Sequence, residues 1–220
     1  MLIFNGQTRR RQPCLMPDEC VFDLRELLDE IGRHYEVLAE NLGIVMALEI
    51  PGNLPKRLYG DPRGLRDILH NLISCCLGNL DEGGIFLQVS ARPVAGGKYR
   101  IELNIDDTGL GIPDYKLRTI FQPAYLKNVD DNAYRVSPSL YLAKTLTTLL
   151  GGELTVASSY GRGTRYALRL DLKTEVYFGY LLPYREKRVA SGTFHAGRKI
   201  TVAAGLRRLV RESQKFDPVN

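Results

Sequence analysis

This 220-residue sequence contains few cysteines and no long hydrophobic run. Its four cysteines, Cys14, Cys20, Cys75 and Cys76, fit no zinc-ligand spacing, so we expect free thiols, buried by default, and no metal site. No apolar run approaches the roughly 18 to 20 residues that a transmembrane helix needs. The first residues, MLIFNGQTRRR, place arginines after a short apolar stretch, the reverse of a secretory signal. The sequence therefore predicts a cytoplasmic protein without a membrane span.

Acidic and basic residues are distributed unevenly along the chain. Residues 21–173 carry 18 Lys and Arg against 19 Asp and Glu, whereas residues 174–220 carry nine against four. The net charge of +5 therefore belongs to the ends of the chain. Because the body is not basic, the composition argues against a domain built to bind nucleic acid.

Hydrophobic periodicity predicts the order of helices and strands. A first helix, capped by Asp23, carries the apolar stripe Leu24, Leu27, Leu28, Ile31, Tyr35, Leu38 and Leu42. A second helix begins at Asp61-Pro62, and its stripe is Leu65, Ile68, Leu69, Leu72, Ile73 and Cys76. Alternating residues predict strands near 44–50, 85–89, 99–105, 153–159 and 165–172, and helical patterns lie near 115–121 and 139–150.

This order predicts an α+β fold, a two-layer sandwich with the helices packed on one face of a mixed sheet. We expect three regions: an N-terminal arm over 1–20, one domain over 21–172, and a basic C-terminal extension over 173–220. The extension contains a strand-like piece at 176–182 and one amphipathic helix at 200–211.

Five segments, in order, resemble a known family. They read FDLRELLDEI, LPKRLYGDPRGLRDILHNLI, DDTGLGIP, IFQPAY and LLGGELTVASSYGRGTRYALRL. Together they resemble the catalytic and ATP-binding domain of bacterial sensor histidine kinases, a member of the GHKL ATPase group with the Bergerat fold. The resemblance covers about residues 21–172, and it implies the two-layer fold predicted above. It also implies a nucleotide site, whose residues can be compared with the family pattern one by one.

The helix after GDP departs from that pattern at two positions. In the family it carries two asparagines four residues apart and then a lysine-type residue, which hold Mg²⁺ and phosphate. Here the first asparagine is kept as Asn71, the second is replaced by Cys75, and the basic residue is replaced by Gly78. A neutral thiol is a poor ligand for Mg²⁺, which prefers oxygen. Asn71 can alternatively be a helix residue that satisfies nearby backbone.

The first glycine box, IDDTGLGIP, is intact. The resemblance implies that Asp107 accepts the adenine amino group, that Gly109 and Gly111 let the backbone approach base and sugar, and that Thr164 belongs to the same site. The alternative is that Asp107 caps the following turn and the two glycines only maintain a tight bend.

The second glycine box is lost. The family offers backbone N–H groups and a helix N-terminus to the phosphates at a glycine-rich segment. The aligned residues here are Ser137, Pro138, Ser139, Leu140, Tyr141 and Leu142, so glycines are replaced at 137, 139 and 141. Pro138 has no N–H to donate. We therefore expect no metal and no cofactor beyond weak ATP or ADP binding, and we assign no catalytic residue.

The departures favour a degenerate histidine-kinase-like ATPase domain that acts by binding a protein partner. We expect that partner to be a histidine kinase, a phosphotransfer domain, a response regulator or a larger complex, and a homo-oligomer stays open. None of His34, His70 and His195 has the setting of a phospho-acceptor, and no dimerisation domain is recognised. The alternatives are an ATP-binding catalytic subunit that phosphorylates a histidine on another chain, and nucleic-acid or membrane-surface binding by the basic extension.

Overall fold

The computed structural model describes residues 17–122 and 138–174. Their helices are α1 (Leu24–Asn41), α2 (Pro62–Gly78), α3 (Asp114–Leu117) and α4 (Pro138–Leu149). Their strands are β1 (Cys20–Phe22), β2 (Val45–Glu49), β3 (Leu58–Gly60), β4 (Gly84–Val94), β5 (Lys98–Asp107), β6 (Glu153–Ser159) and β7 (Gly163–Thr174). Ser137 and the elements predicted at 176–182 and 200–211 lie outside the described residues.

The strands form one mixed sheet in the order β1-β3-β7-β5-β4-β2. Strand β6 pairs with the first part of β7, and β3 pairs with its last two residues. The pair β2–β4 is parallel and the other pairs are antiparallel. The predicted α+β fold with a mixed sheet is confirmed. Strand β5 is central, and its last residue, Asp107, lies opposite Thr164 of β7 and Ile85 of β4.

Both long helices begin where the sequence predicts. The Asp23 carboxylate accepts from the backbone N–H of Arg25 at 2.8 Å, and the Asp61 carboxylate accepts from that of Gly64 at 2.9 Å. Pro62 occupies the first turn of α2, where its missing N–H costs nothing. These caps fix the start of each apolar stripe and therefore the face that each helix turns to the sheet.

Helices α1 and α2 run side by side in the same direction. Arg66 donates to Glu30 at 2.7 Å, and the rings of His34 and His70 are 5.7 Å apart, so the two helices keep a constant register. The buried hydroxyl of Tyr35 lies 2.8 Å from Ser74 Oγ. The C-terminal ends of α1 and α2 consequently lie at the same end of the molecule.

The α2 stripe is fully buried as predicted, but the α1 stripe is not. Leu38 is 40% exposed and Leu42 is 58% exposed, although their spacing continues the stripe. Ala39, which is fully buried, takes the inward position in the last turns of α1. The apolar stripe of α1 therefore extends beyond the part of the helix that is buried in the described domain.

Other departures concern short elements and one cysteine. Strands β1 and β3, three residues each, were not predicted, and α3 ends at Leu117 rather than near Phe121. Cys75 and Cys76 are buried free thiols as expected, but Cys20 is exposed because it lies on the edge strand β1. Cys14 lies outside the described residues.

Candidate functional site

Asp107 is the centre of the candidate site. Its side chain is buried at the end of β5, where Oδ1 accepts from the backbone N–H of Gly109 at 2.9 Å and of Thr164 at 3.2 Å. The buried thiol of Cys76 on α2 donates a further hydrogen bond to the carboxylate. Burial raises the pKa of Asp107 to about 6, and the three hydrogen bonds oppose part of that rise. Burial likewise raises the pKa of the Cys76 thiol.

The glycines of the first box are held by the protein's own atoms. A Cβ on Gly111, which has φ of 72°, would lie 2.2 Å from the carbonyl oxygen of Ser159. A Cβ on Gly109 would lie 3.0 Å from both Asn79 O and Asp107 Oδ1. Gly111 thus requires glycine for packing within the domain, whether or not a base or sugar approaches, and Gly109 has little room for a side chain.

A hydroxyl that sequence reasoning missed fixes this loop to the β6–β7 hairpin. Ser158 Oγ accepts from the backbone N–H of Ile112 at 2.7 Å and donates to Gly163 O at 2.8 Å. The same oxygen lies 3.1 Å from Thr164 Oγ1, whose side chain is buried. The only sequence signal for Ser158 is its place on the strand before the Gly161–Thr164 turn, and an exposed strand serine would look the same.

The α2 side of the site has a different character. The Asn71 amide donates to Asp67 O at 2.8 Å, one helical turn back, as the alternative interpretation of this residue expects. Gly78 is exposed at the end of the helix, and a Cβ there would meet nothing within 4 Å. Gly78 is therefore not constrained by close packing.

Cys75 occupies the place of the family's second asparagine and is 2% exposed. Its sulfur lies 3.9 Å from the hydroxyl of Tyr166, a buried residue of β7, and 3.8 Å from the Asn79 amide nitrogen. These two contacts bring a hydroxyl and an amide to the thiol. Among residues 17–122 and 138–174, no group of three or more His, Cys, Asp or Glu residues is arranged to hold a metal ion.

Helix α4 packs against α2 and closes the other wall. It begins at Pro138, and Leu140 is fully buried while Ser139 and Tyr141 are half-buried. A basic residue on this helix, Lys144, is already engaged: its ammonium donates to Leu154 O at 2.8 Å and lies 5.4 Å from the Phe121 ring centroid.

The structure therefore brings some predicted residues together and leaves others apart. Asp107, Gly109 and Thr164 make direct contacts, and Cys76 joins them to α2 one residue after Cys75. Asn71 and Gly78 line the same helix, whereas Ser139 and Tyr141 belong to α4.

Residues 60–174 match the family described as histidine kinase-, DNA gyrase B-, and HSP90-like ATPases, which is just over half of the chain. The chain belongs to this ATPase family. The chain is 27% identical over 162 residues to the signal transduction histidine-protein kinase BarA of Escherichia coli K12. That match covers 72% of the chain and 17% of BarA. It is 32% identical over 152 residues to the sensor protein TorS of the same organism, covering 69% of the chain and 16% of TorS.

Solved histidine kinases share the ATPase fold. Full-length ShkA in complex with AMPPNP superposes with a TM-score of 0.60 at 23% identity, covering 72% of this chain and 32% of ShkA. The Acinetobacter baumannii histidine kinase AdeS gives a TM-score of 0.54 at 15% identity, covering 71% of this chain and 68% of AdeS. The chain spans about a sixth of the length of its curated relatives BarA and TorS.

Within the part of the chain that the structure describes, no helix has both the length and the hydrophobicity to cross a bilayer.

Proposed function

We propose that this chain is a degenerate histidine-kinase-type ATPase domain without phosphotransfer activity. It acts as a protein-interaction or regulatory module in two-component or phosphorelay signalling. Its relatives are named sensor and signal transduction histidine kinases, which supports the signalling context. The loss of activity is argued from the site itself.

The observation that carries the proposal is the environment of Cys75. The residue that should offer an oxygen to Mg²⁺ is a buried thiol between the Tyr166 hydroxyl and the Asn79 amide. Magnesium demands near-ideal octahedral oxygen coordination, and a neutral thiol does not supply it. The residues present do not fit the metal, so we derive no chemical step through it.

Within residues 17–122 and 138–174, the positions that carry positive charge or phosphate-binding N–H groups in the family pattern no longer do so. A triphosphate carries about −4 charge, which the family balances with metal, a basic residue and backbone N–H groups. Here Gly78 replaces the basic residue, Lys144 is engaged elsewhere, and Pro138 at the start of α4 cannot donate. The substitutions at Ser137, Ser139 and Tyr141 act in the same direction.

The adenine side alone supports at most weak ATP or ADP binding. Asp107 already accepts three hydrogen bonds from the protein, two of them at Oδ1, so most of its capacity to accept a hydrogen bond from a base is used. Since internal packing requires Gly111 and leaves little room at Gly109, the presence of these glycines does not argue for a ligand.

The partner in this proposal is a histidine kinase, a phosphotransfer domain, a response regulator or a larger complex, in the cytoplasm. A homo-oligomer is a further form of the same proposal. The names of the relatives, which are sensor and signal transduction histidine kinases, support a partner of this kind.

The second candidate is an active ATP-binding subunit that phosphorylates a histidine on another chain. It is favoured by the intact group of Asp107, Gly109 and Thr164, which keeps its mutual contacts. Under that candidate, nucleotide binding would have to tolerate Cys75 and Gly78, and the other chain would supply the histidine.

Calorimetric titration of the full chain with ATP, with and without Mg²⁺, separates the two candidates. We expect binding weaker than about 1 mM and no effect of Mg²⁺. A restored variant, Cys75→Asn and Gly78→Lys with glycines at 137, 139 and 141, should bind at least tenfold more tightly and depend on Mg²⁺; tenfold corresponds to about 1.4 kcal/mol. The control, Asp107→Asn in the restored background, should remove that gain.

Micromolar, Mg²⁺-dependent binding by the unaltered chain would overturn the degenerate assignment and favour the active subunit. If the restored variant is folded by circular dichroism but gains no affinity, the alignment of these boxes with the family pattern is wrong.

A further inference from the structure

An apolar surface lies exposed where α1 ends and β2 begins. Val37 is 59% exposed, Leu38 40%, Leu42 58% and Val45 49%. These four residues are close in the chain and interrupted by the buried Ile44, whose backbone N–H donates to Ala39 O at 2.8 Å. Leu38 and Leu42 continue the buried stripe of α1, so the sequence provides apolar side chains that the described domain leaves uncovered.

The ends of two helices meet at this surface. Because α1 and α2 run in the same direction, the end of α2 and its following loop lie beside the end of α1. The loop is attached directly, since the backbone N–H of Val45 donates to Gly83 O at 2.9 Å. Neither helix has a basic residue in its last turn. Neither helix therefore neutralises its own partial negative charge at this end.

The rim of the surface is acidic. Glu36 and Glu40 on α1 and Asp81 and Glu82 in the loop are all exposed. The sequence has no Lys or Arg between Arg33 and Lys56, and none between Arg66 and Arg92. We call this surface, made of Val37, Leu38, Leu42 and Val45 with the four acidic residues, the acidic corner. Its chemistry fits an apolar helix that carries positive charge.

We propose that the acidic corner is the docking site of the chain's own C-terminal segment, residues 198–211. In helical register, Val202, Leu206, Leu209 and Val210 share one face of this segment, and Arg207, Arg208 and Arg211 lie on the opposite side of it. Residues 174–220 carry nine basic and four acidic residues, so the segment complements the corner in both polarity and charge.

The connecting chain is long enough for this contact. Strand β7 ends at Thr174, whose N–H donates to Gly97 O, at the sheet end opposite Gly84. Eleven residues of β4 span about 36 Å, and three strand spacings add about 14 Å sideways, which places the corner roughly 40 Å away. Residues 175–197 can extend to about 75 Å.

A disulfide-trapping experiment on the full chain tests the contact. On a background with Cys14→Ser and Cys20→Ser, Leu42→Cys is combined with Leu209→Cys, and the control combines Asp29→Cys with Leu209→Cys. Asp29 is exposed on the same helix, 13 positions and about 20 Å from Leu42. We expect the intramolecular disulfide of the first pair to form at least tenfold faster, measured by mass spectrometry of the monomer.

Charge reversal provides the second arm. In the trapping background, Glu36→Lys combined with Glu40→Lys should reduce the rate of disulfide formation between positions 42 and 209 to that of the control pair. We expect 1 M salt to have the same effect, because it screens the charges. Equal rates for the two pairs, or no effect of charge reversal, would overturn the proposal. Disulfides formed mainly between copies would also overturn it and assign the corner to a second copy. Nucleotide affinity does not enter this readout, so its result is independent of the proposed loss of activity.

Discussion

The adenine side and the phosphate side of the candidate site differ in what holds their residues in place. On the adenine side, Gly111 and Gly109 lie against Ser159 O and Asn79 O, and Asp107 accepts hydrogen bonds from three neighbours. On the phosphate side, Gly78 faces open space and Asn71 contacts only its own helix among the hydrogen bonds described. The side that agrees with the family pattern is therefore the side that the fold itself needs. Agreement with a motif reports packing here as much as ligand binding.

The sharpest way to break this comparison is at Gly111. Gly111→Ala places a Cβ 2.2 Å from Ser159 O at a φ of 72°, so strain and clash together should lower the free energy of unfolding by about 3–5 kcal/mol. Gly161→Ala is the matched control, because its φ is 79° but nothing lies within 4 Å; it should cost only about 1–2 kcal/mol. Denaturant unfolding measures both. Equal losses would show that the approach to Ser159 O adds nothing to the requirement for glycine at position 111.

Asp107 gives a pH-dependent prediction of intermediate size. Burial raises its pKa to about 6 in the folded state, whereas the unfolded carboxyl titrates near 4. The folded state holds the proton more tightly, so this stabilising contribution is complete below about pH 4 and is lost as the pH rises to about 6. The free energy of unfolding of the wild type should therefore fall by about 2–3 kcal/mol between pH 4 and pH 7 through this group, and Asp107→Asn should abolish that decrease.

Unfolding free energies at several pH values test this difference. Asp114→Asn, an exposed change on α3, is the control for the rest of the molecule. A wild-type pH profile retained in Asp107→Asn would show that this carboxyl is not responsible.

The smallest effect is expected on the phosphate side. Gly78→Lys adds a side chain into open space at the end of α2, and lysine has the higher helix propensity. We expect no loss of stability and a gain of up to about 1 kcal/mol in the free energy of unfolding, measured by thermal unfolding. In contrast, Gly64→Ala on the same helix meets Asp61 Oδ2 at 2.9 Å and Leu150 at 3.2 Å, and it should destabilise. A destabilising Gly78→Lys would remove the contrast between the two sides.

Local chemistry made much of the fold predictable. The caps Asp23 and Asp61 and the stripe of α2 depend on neighbours within a few positions, which the sequence displays directly. Strands β1 and β3 were missed because three residues are too few to show a period of two. The exposure of Leu38 could not be predicted, since helical spacing identifies a face but not where its cover ends.

The sequence predicted which residues lie at the site but not the hydrogen bonds that they make. The family pattern places Asp107 and Cys75, but the bond from Cys76 to Asp107 joins residues that are far apart in the sequence. The same is true of Ser158 and Ile112, whose contact depends on how the β6–β7 hairpin folds over the loop. Such contacts depend on tertiary packing, and the local sequence around each residue does not indicate them.

The pairing of β5 with β7 has one more consequence, for loop-closure entropy. These two central strands are neighbours in the sheet, yet residues 108–162 lie between them, so α3, α4 and β6 all belong to one excursion from the sheet. The entropic cost of closing a chain grows only logarithmically with length, about 0.6 kcal/mol for each doubling. Lengthening the connections within this excursion would therefore change the closure entropy of the β5–β7 pair only slightly, and it would leave the register of β5 and β7 unaltered.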